Sequence, residues 1–473
     1  MSGMFTVGEV KKSPGVYKRI ENYGGAEIAG AAEDIGCAVV SGNWGALNKP
    51  VVVDGSTDIS SVIGTGSGAD VIREMRIGGA NTIVVTRVGS GGTQATLTLK
   101  DTAASTPADA VTLTALYPGN RAFALTIKES LDDSTKKQAI LYEGTKILES
   151  VTFDAGKTEP DNLVAALKGS AYVTATKKAA GNGTLAALQQ KAFTAGTNPT
   201  VNTEAYSTGF AACEAENWNI ICVDTADPAV HTLLLAYVER LTDDGNYPLA
   251  VVSEKSSTAL ETRTQHGAAF NSEKMHYVLN SWIDSDGTVY DGYLAAARVA
   301  GMLADTASNE SLTHSVVTSA AALNERLTNA QRDKALDSGC IVLTLSKSGQ
   351  VWIDKGINTL VTLSGSQDAG WKKIRRVKTR YELMNRIETT IEPMIGAVNN
   401  DANGRAAVVA AAQRVADAMI GEGKLLAGTV SEDASNPASG DSAWFIVEVD
   451  DLDSIETIYL TFRFRFEAVS DTE

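Results

Sequence analysis

The sequence predicts a multi-domain fold of the α/β plus β class. An α/β core domain with a covered mixed sheet carries an inserted, mostly β outer domain of sandwich or barrel kind and an α+β C-terminal domain, with an arm at each end. Three observations carry this. At 473 residues the chain exceeds the roughly 250–300 residues at which a single hydrophobic core stops growing. Near residue 200 the apolar period changes from two to about 3.6, so a block of strands gives way to alternating strands and helices. The last strand-like stretch has a wholly apolar face that nothing nearby in sequence can cover.

Residues 1–24 are Gly-rich and polar with one turn-and-strand signal, Pro14-Gly-Val-Tyr-Lys-Arg-Ile20, and read as an arm. In 25–92 the apolar runs Cys37-Ala-Val-Val40 and Pro50-Val-Val-Val53 precede a helix-period stretch, Ala69-Asp-Val-Ile-Arg-Glu-Met-Arg-Ile77, and the strand Thr82-Ile-Val-Val-Thr-Arg-Val88; together they make an α/β segment. Residues 93–200 alternate apolar and polar positions in Ala95-Thr-Leu-Thr-Leu-Lys100, Ala110-Val-Thr-Leu-Thr114, Ala122-Phe-Ala-Leu-Thr-Ile-Lys128 and Lys146-Ile-Leu-Glu-Ser-Val-Thr-Phe153, the pattern of a β domain decorating the main body.

In 201–365 a helix over about 204–216 leads to the strand Trp218-Asn-Ile-Ile-Cys-Val223. Asp227 and Pro228 then supply an N-cap and a first-turn proline for a helix reaching Leu241. The strand Pro248-Leu-Ala-Val-Val252, an Ala-rich helix over 292–303 and Cys340-Ile-Val-Leu-Thr-Leu345 continue the alternation expected of a parallel sheet with covered faces. Residues 366–456 hold two long amphipathic helices, one striped by Ile374, Val377, Tyr381, Met384, Ile387 and Ile391, the other by Val408, Val409, Ala412, Val415, Met419 and Ile420. Residues 457–473 form the second arm. Read as a strand, it places Ile458, Leu460, Phe462, Phe464 and Phe466 on one face and Tyr459, Thr461, Arg463 and Arg465 on the other. Unpaired backbone beside exposed phenylalanines is a template for another chain, so this arm needs a partner.

A formal charge of −16 argues against general nucleic-acid binding or attachment to a membrane surface, both of which draw on dense positive charge. The first residues lack a basic segment followed by an apolar one, and no apolar run approaches the roughly 18 residues of a membrane span, so synthesis and retention in a cytoplasm is the expectation. Cys37, Cys213, Cys222 and Cys340 have no metal-ligand or disulfide spacing and read as small buried hydrophobes. Neither His231, His266, His276 and His314 nor the turn Asp284-Ser-Asp-Gly-Thr-Val-Tyr-Asp291 has ligand spacing.

Gly64-Thr-Gly-Ser-Gly-Ala69 matches a dinucleotide fingerprint and precedes a helix, but the strand about 20 residues on lacks the terminal acid that would hold a ribose. Asp224 stands just past a strand's carboxyl end with no visible partner. These two features support the competing reading, a cytoplasmic α/β enzyme using a nucleotide cofactor, with a β accessory domain. The favoured expectation is a protein that is not an enzyme and uses no cofactor or metal. The strongest charge feature is the basic run Lys372, Lys373, Arg375, Arg376, Lys378 and Arg380; it reads either as a solvated helical face or as one neutralised by acidic groups of this chain or of a partner.

Beyond these readings, the order of several segments resembles a known family. The arm Pro14-Gly-Val-Tyr17, the strand reaching Arg87-Val88 after Gly78-Gly-Ala80, the helix Leu294-Ala-Ala-Ala-Arg-Val-Ala-Gly-Met-Leu-Ala304 with Ser311 and Thr313 beyond it, Gly356-Ile-Asn-Thr-Leu360, Lys373-Ile-Arg-Arg-Val377 and Asp450-Asp-Leu-Asp-Ser-Ile-Glu-Thr-Ile-Tyr-Leu-Thr-Phe462 are similar to the tail sheath protein of contractile-tailed bacteriophages and phage-like bacteriocins. That resemblance implies a structural subunit without cofactor or catalytic residues. Such subunits stack as hexameric rings in a helical sheath around an inner tail tube, between baseplate and tail terminator proteins, and contract to drive the tube through a bacterial envelope.

The family further implies a virion or phage-like particle assembled in a host cytoplasm, with neither nucleic-acid binding nor direct membrane insertion. It implies inter-subunit strands at Val16, Tyr17, Lys18 and Ile20 and at Ile458, Leu460, Phe462, Phe464 and Phe466. It also implies a tube-facing position for the basic run 372–380.

Overall fold

The computed structural model describes residues 2–4, 16–18, 35–365 and 367–465. The chain forms two compact units, one of residues 32–379 and 452–473 and the other of residues 1–31 and 380–451. In the N-terminal arm, β1 (Ser2–Met4) and β2 (Val16–Lys18) pair in parallel.

The first segment of the larger unit supplies β3 (Ile35–Val40), β4 (Pro50–Asp54), the single turn α1 (Ile59–Val62), α2 (Ser67–Gly78) and β5 (Thr82–Arg87). The insertion follows with β6 (Thr96–Lys100), β7 (Asp109–Ala115), β8 (Phe123–Glu129), β9 (Lys136–Glu143), β10 (Lys146–Asp154), α3 (Glu159–Ala166), β11 (Val173–Lys177) and β12 (Leu188–Ala192). The chain then resumes alternation with α4 (Thr203–Cys213), β13 (Ile220–Val223), α5 (Pro228–Asp243), β14 (Leu249–Ser253), α6 (Leu260–Phe270) and β15 (Met275–Val278). A small sheet of β16 (Trp282–Asp284), β17 (Val289–Tyr290) and β18 (Ala320–Leu323) brackets α7 (Tyr293–Asp305). Then come α8 (Asn329–Asp337), β19 (Cys340–Ile341) and the hairpin of β20 (Leu343–Leu345) and β21 (Val351–Ile353).

Seven strands form the main sheet in the order β19-β15-β14-β13-β3-β5-β4, with only the β4–β5 pair antiparallel. Every residue of β13, β14 and β15 is buried, because helices lie on both sides, and this is why these strands read as unbroken apolar runs. Helices α2 and α7 cover the face holding Gly36 and Val40, and α4 and α5 cover the face holding Cys37 and Val39. The four cysteines are buried and unpaired. Asp227 caps α5 by accepting from the Ala229 amide, with Pro228 as its first residue.

Helices α2 and α7 approach at backbone distance. A Cβ on Gly301 would stand 2.1 Å from the Met75 carbonyl oxygen, and one on Gly78 would stand 2.4 Å from that of Arg298. Next to this crossing, Arg298 bonds Glu74 (2.6 Å) with both side chains buried. The Arg298 guanidinium also lies 5.4 Å from the Trp282 ring centroid and donates to the Thr318 carbonyl.

His276 of β15 is fully buried, with Nδ1 3.1 Å from the Ala250 carbonyl. Burial penalises the imidazolium and lowers its pKa from 6.5 to about 4. An unfolded chain therefore takes up this proton first as pH falls. Stability present above about pH 6.5 should decline toward about pH 4, by about 3 kcal/mol from this group alone. Buried His231, shifted in the same direction, adds to the slope. Urea unfolding at pH 7 and pH 5 tests this, and in His276→Leu the difference between the two should shrink.

The insertion is a sandwich of two antiparallel sheets, β10-β9-β8-β12 and β11-β7-β6, closed over Leu97, Leu113, Phe123, Leu125, Leu141 and Phe153. The pattern of alternation missed β9, β11, β12 and α3. The insertion leaves and re-enters the core at one point, where Ser90 and Thr200 exchange two backbone hydrogen bonds of 2.9 Å. It is also riveted there. Trp44, from the loop after β3, packs edge-on to Tyr117 and Phe123 with the Arg121 guanidinium 5.0 Å from its ring. Buried Arg87 donates to the carbonyls of Gly42, Gly45 and Pro118, and burial pushes its pKa down to about 10. At Gly119 a Cβ would stand 2.0 Å from the Asn43 carbonyl oxygen, so only glycine lets the two segments meet.

Helix α9 (Ile374–Ile391) runs from the larger unit into the smaller one, which also contains α10 (Ala402–Gly421) and the antiparallel hairpin of β22 (Leu425–Glu432) and β23 (Phe445–Asp451). The core of the smaller unit is Leu383, Val415, Met419 and Leu425, with Ile387, Ile420 and Val449 packed around them. The predicted stripes thus supply part of this core. Buried Glu382 accepts from Arg386 and Lys424.

One prediction needs correction. The strand expected over 458–466 is absent among the described residues, since 452–465 form no β-pair. Alternation alone does not make a strand; a partner must supply the ladder, and no described residue of the chain does so.

Candidate assembly interface

The one crevice where an α/β fold would hold a cofactor lies between the carboxyl ends of β3 and β13, where the strand order reverses. Asp224 lies there, 6% exposed. It accepts hydrogen bonds from the Ser41 amide and hydroxyl, from Ser67 Oγ at the start of α2 and from Tyr206 OH, the three hydroxyls at 2.6 Å. Burial first, and then Asp224, raises the Tyr206 pKa, so its hydroxyl stays a donor. A nucleotide-binding fold puts a ligand phosphate at a helix amino terminus, whereas here the protein's own carboxylate stands beside it.

The Gly64-Thr-Gly-Ser-Gly-Ala69 turn does open a helix, but β4 and α1 separate it from β3, so the strand–turn–helix of a dinucleotide site is missing. Asp224, without a visible partner in the sequence, is a staple joining four segments. Asp284 and its neighbours make the β16–β17 hairpin, with the Gly287 amide bonded to the Asp284 carbonyl. No group of three or more potential metal ligands occurs among the described residues.

The basic run lies on the turn before α9 and on its first turns, and none of its six side chains is exposed. Lys372 donates to the Val361 carbonyl, Arg375 to that of Asn309, and Lys378 to those of Leu303 and Thr306. Lys373 pairs with Asp453 and Glu456, Arg376 with Asp368, and Arg380 with Asp451. Half of these acceptors are backbone carbonyls, which charge patterning cannot reveal, and half are carboxylates of this chain.

The C-terminal arm presents the opposite picture. Ile458, Leu460, Phe462 and Phe464 are 71–94% exposed and Tyr459 is 92% exposed. Phe462 and Phe464 stack at 6.4 Å, as alternate residues of an extended segment do. In the smaller unit, the β22–β23 hairpin is only two strands wide, with Leu426, Ile446 and Val447 exposed. Val16, Tyr17 and Lys18 make up β2. Ile20 and Phe466 lie outside the described residues.

Residues 90–198 match the phage tail sheath protein beta-sandwich domain and residues 200–359 the phage tail sheath protein central domain, together more than half of the chain. An uncharacterized Bacillus subtilis protein, YqbK, is 22% identical over 406 residues, 83% of this chain and 82% of its own. The crystal structure of the sheath tail protein from Desulfitobacterium hafniense superposes with a TM-score of 0.70 at 22% identity, over 93% of this chain and 100% of that one. The helical sheath of the anti-feeding prophage, solved in its contracted state, superposes with a TM-score of 0.54 at 11% identity, over 96% of this chain and 99% of that one.

Proposed function

The chain belongs to the phage tail sheath family, a structural subunit of a contractile sheath, and from that premise we propose that its subunits are joined by exchange of their terminal arms. The exposed C-terminal arm carries this reading. Among the described residues its apolar side chains have no cover, and the β22–β23 hairpin pairs with no third strand there, so its edges could take a neighbour's arm. Burying four or five such side chains contributes on the order of 10 kcal/mol before ordering costs. Strand addition would supply the ladder hydrogen bonds that make an extended segment such as 452–465 a strand. A head-to-tail contact of this kind propagates into a helix if it does not close.

In this reading the copies stack as six-membered rings around an inner tube, between a baseplate and a terminator, in a virion or phage-like particle put together in the host cytoplasm. Contraction would let many weak surface contacts form at once while the arm links persist. Individual exposed ion pairs contribute about 0–1 kcal/mol, so the work comes from repetition along the polymer. A tube-facing role for Lys372, Lys373, Arg375, Arg376, Lys378 and Arg380 rests on the resemblance alone; their acceptors within the chain give them a complete role without it.

Deleting residues 457–473 is expected to leave a folded monomer, with an unfolding temperature close to that of the full chain, that forms no sheath. Electron micrographs and sedimentation decide the matter: ordered tubes from the truncated chain would overturn arm exchange.

A further inference from the structure

Four segments far apart in sequence converge where the C-terminal arm leaves the larger unit. Lys373 Nζ lies 2.6 Å from Asp453 Oδ2 and 3.1 Å from Glu456 Oε2. On its other oxygen, Glu456 accepts from Thr313 Oγ1 at 3.0 Å, with Ser311 Oγ 3.4 Å away. Thr313 Oγ1 in turn accepts from the Gly356 amide at 2.9 Å, and Ile357 bridges Lys373 through the backbone. The Glu456 side chain is only 11% exposed, whereas Ile455 before it and Ile458 after it are 84% and 72% exposed, so Glu456 is the held side chain at this point of the arm.

We propose that Lys373 and Glu456, seated on Ser311 and Thr313, form a root clamp that sets where and in which direction the arm departs toward a second copy of this chain. They are positioning residues for assembly, and the proposal rests on the arm-exchange reading above. Its physical basis is effective concentration. An arm tethered at a fixed point samples a small volume around the neighbour's open sheet edge, and releasing the tether dilutes it. Lys373 also relieves repulsion between Asp453 and Glu456. Burial works against its charge, but the Asp453 and Glu456 carboxylates outweigh this and hold its pKa above the ordinary value.

The test uses the full chain and its Lys373→Met, Glu456→Gln and Lys373→Arg variants. In Lys373→Met, a glutamate-specific protease should cut after Glu456 about tenfold faster than in the parent, because the site is released from the fold. The concentration needed for sheath assembly should rise about tenfold in both Lys373→Met and Glu456→Gln, and Lys373→Arg should restore most of it. Glu456→Gln keeps the side-chain shape, so its unfolding temperature should stay within about 2 °C of the parent, which separates arm placement from loss of fold. Assembly of Lys373→Met and Glu456→Gln at the parent concentration overturns the clamp. If the chain lacking 457–473 fails to assemble in the same experiment, arm exchange survives that result; if the truncated chain assembles, the reading beneath the clamp falls as well.

Discussion

Arg298→Ala is expected to destabilise the chain by about 3–5 kcal/mol, the cost of leaving a buried carboxylate without its partner. Glu74 and Arg298 are 4% and 2% exposed, so no water reaches in to replace the guanidinium. The carboxyl of Glu74 is already pushed up by burial, with Arg298 pulling it back, so removing Arg298 takes away the main opposition to burial. The alanine would also vacate the space against Trp282 and Tyr290 and leave the Thr318 carbonyl without a donor. Urea unfolding of the purified chain measures the loss. The apolar double variant Glu74→Leu, Arg298→Met should recover most of it, since two apolar side chains can replace a buried ion pair at little cost. A loss below about 1 kcal/mol in the alanine variant would place this pair outside the structural core.

Trp44→Ala should lower stability by a similar amount, about 3–5 kcal/mol for an aromatic side chain removed from a core, and should change the form of unfolding. Although its backbone belongs to the loop after β3, its ring is part of the sandwich core, against Tyr117, Phe123 and Tyr172 and within cation–π distance of Arg121. Losing that ring uncouples the sandwich from the main sheet. Differential scanning calorimetry should show the transition splitting in two, with protease sensitivity appearing between residues 88 and 95. A single transition at nearly the parent temperature would mean that Arg87 and the close contact at Gly119 suffice to hold the two together.

Legibility in the sequence followed the distance over which each signal acts. The strands β3, β5, β13 and β14 were readable because burial on both faces leaves continuous apolar runs, and α5 because Asp227 and Pro228 act within one turn. In the sandwich, β9 places Ala139, Ile140 and Leu141 in succession and β12 is Leu-Gln-Gln-Lys-Ala, so neither shows a period of two. The partners of Asp224 were invisible for another reason: Ser41 and Ser67 stand 183 and 157 residues away. The arm shows a complementary case. The alternation of Ile458, Leu460, Phe462 and Phe464 is plain, but a strand is a property of two segments, and among the described residues no second segment pairs with this one. In the basic run the charges were evident, and so was the option of neutralisation by acidic groups of this chain, which Lys373, Arg376 and Arg380 take; the carbonyls that accept from Lys372, Arg375 and Lys378 carry no side-chain signature.

The double hydrogen bond between Ser90 and Thr200 bears on the order in which the chain can fold. β3 and β13 are neighbours in the main sheet although Ser41 and Asp224, at their ends, are 183 residues apart, so half of this sheet is made long before its other half exists. The sandwich between them contains only its own strands and can collapse as soon as it is synthesised, at roughly 5–20 residues per second. Once it has done so, Ser90 and Thr200 are adjacent and the intervening residues no longer count toward the loop that β13 must close to reach β3. Shortening that loop lowers the closure entropy by only about 0.8 kcal/mol. The larger gain is kinetic. The apolar faces of β3 and β5 wait for a partner delivered beside them by a folded module, and are less exposed to the same faces of other nascent copies.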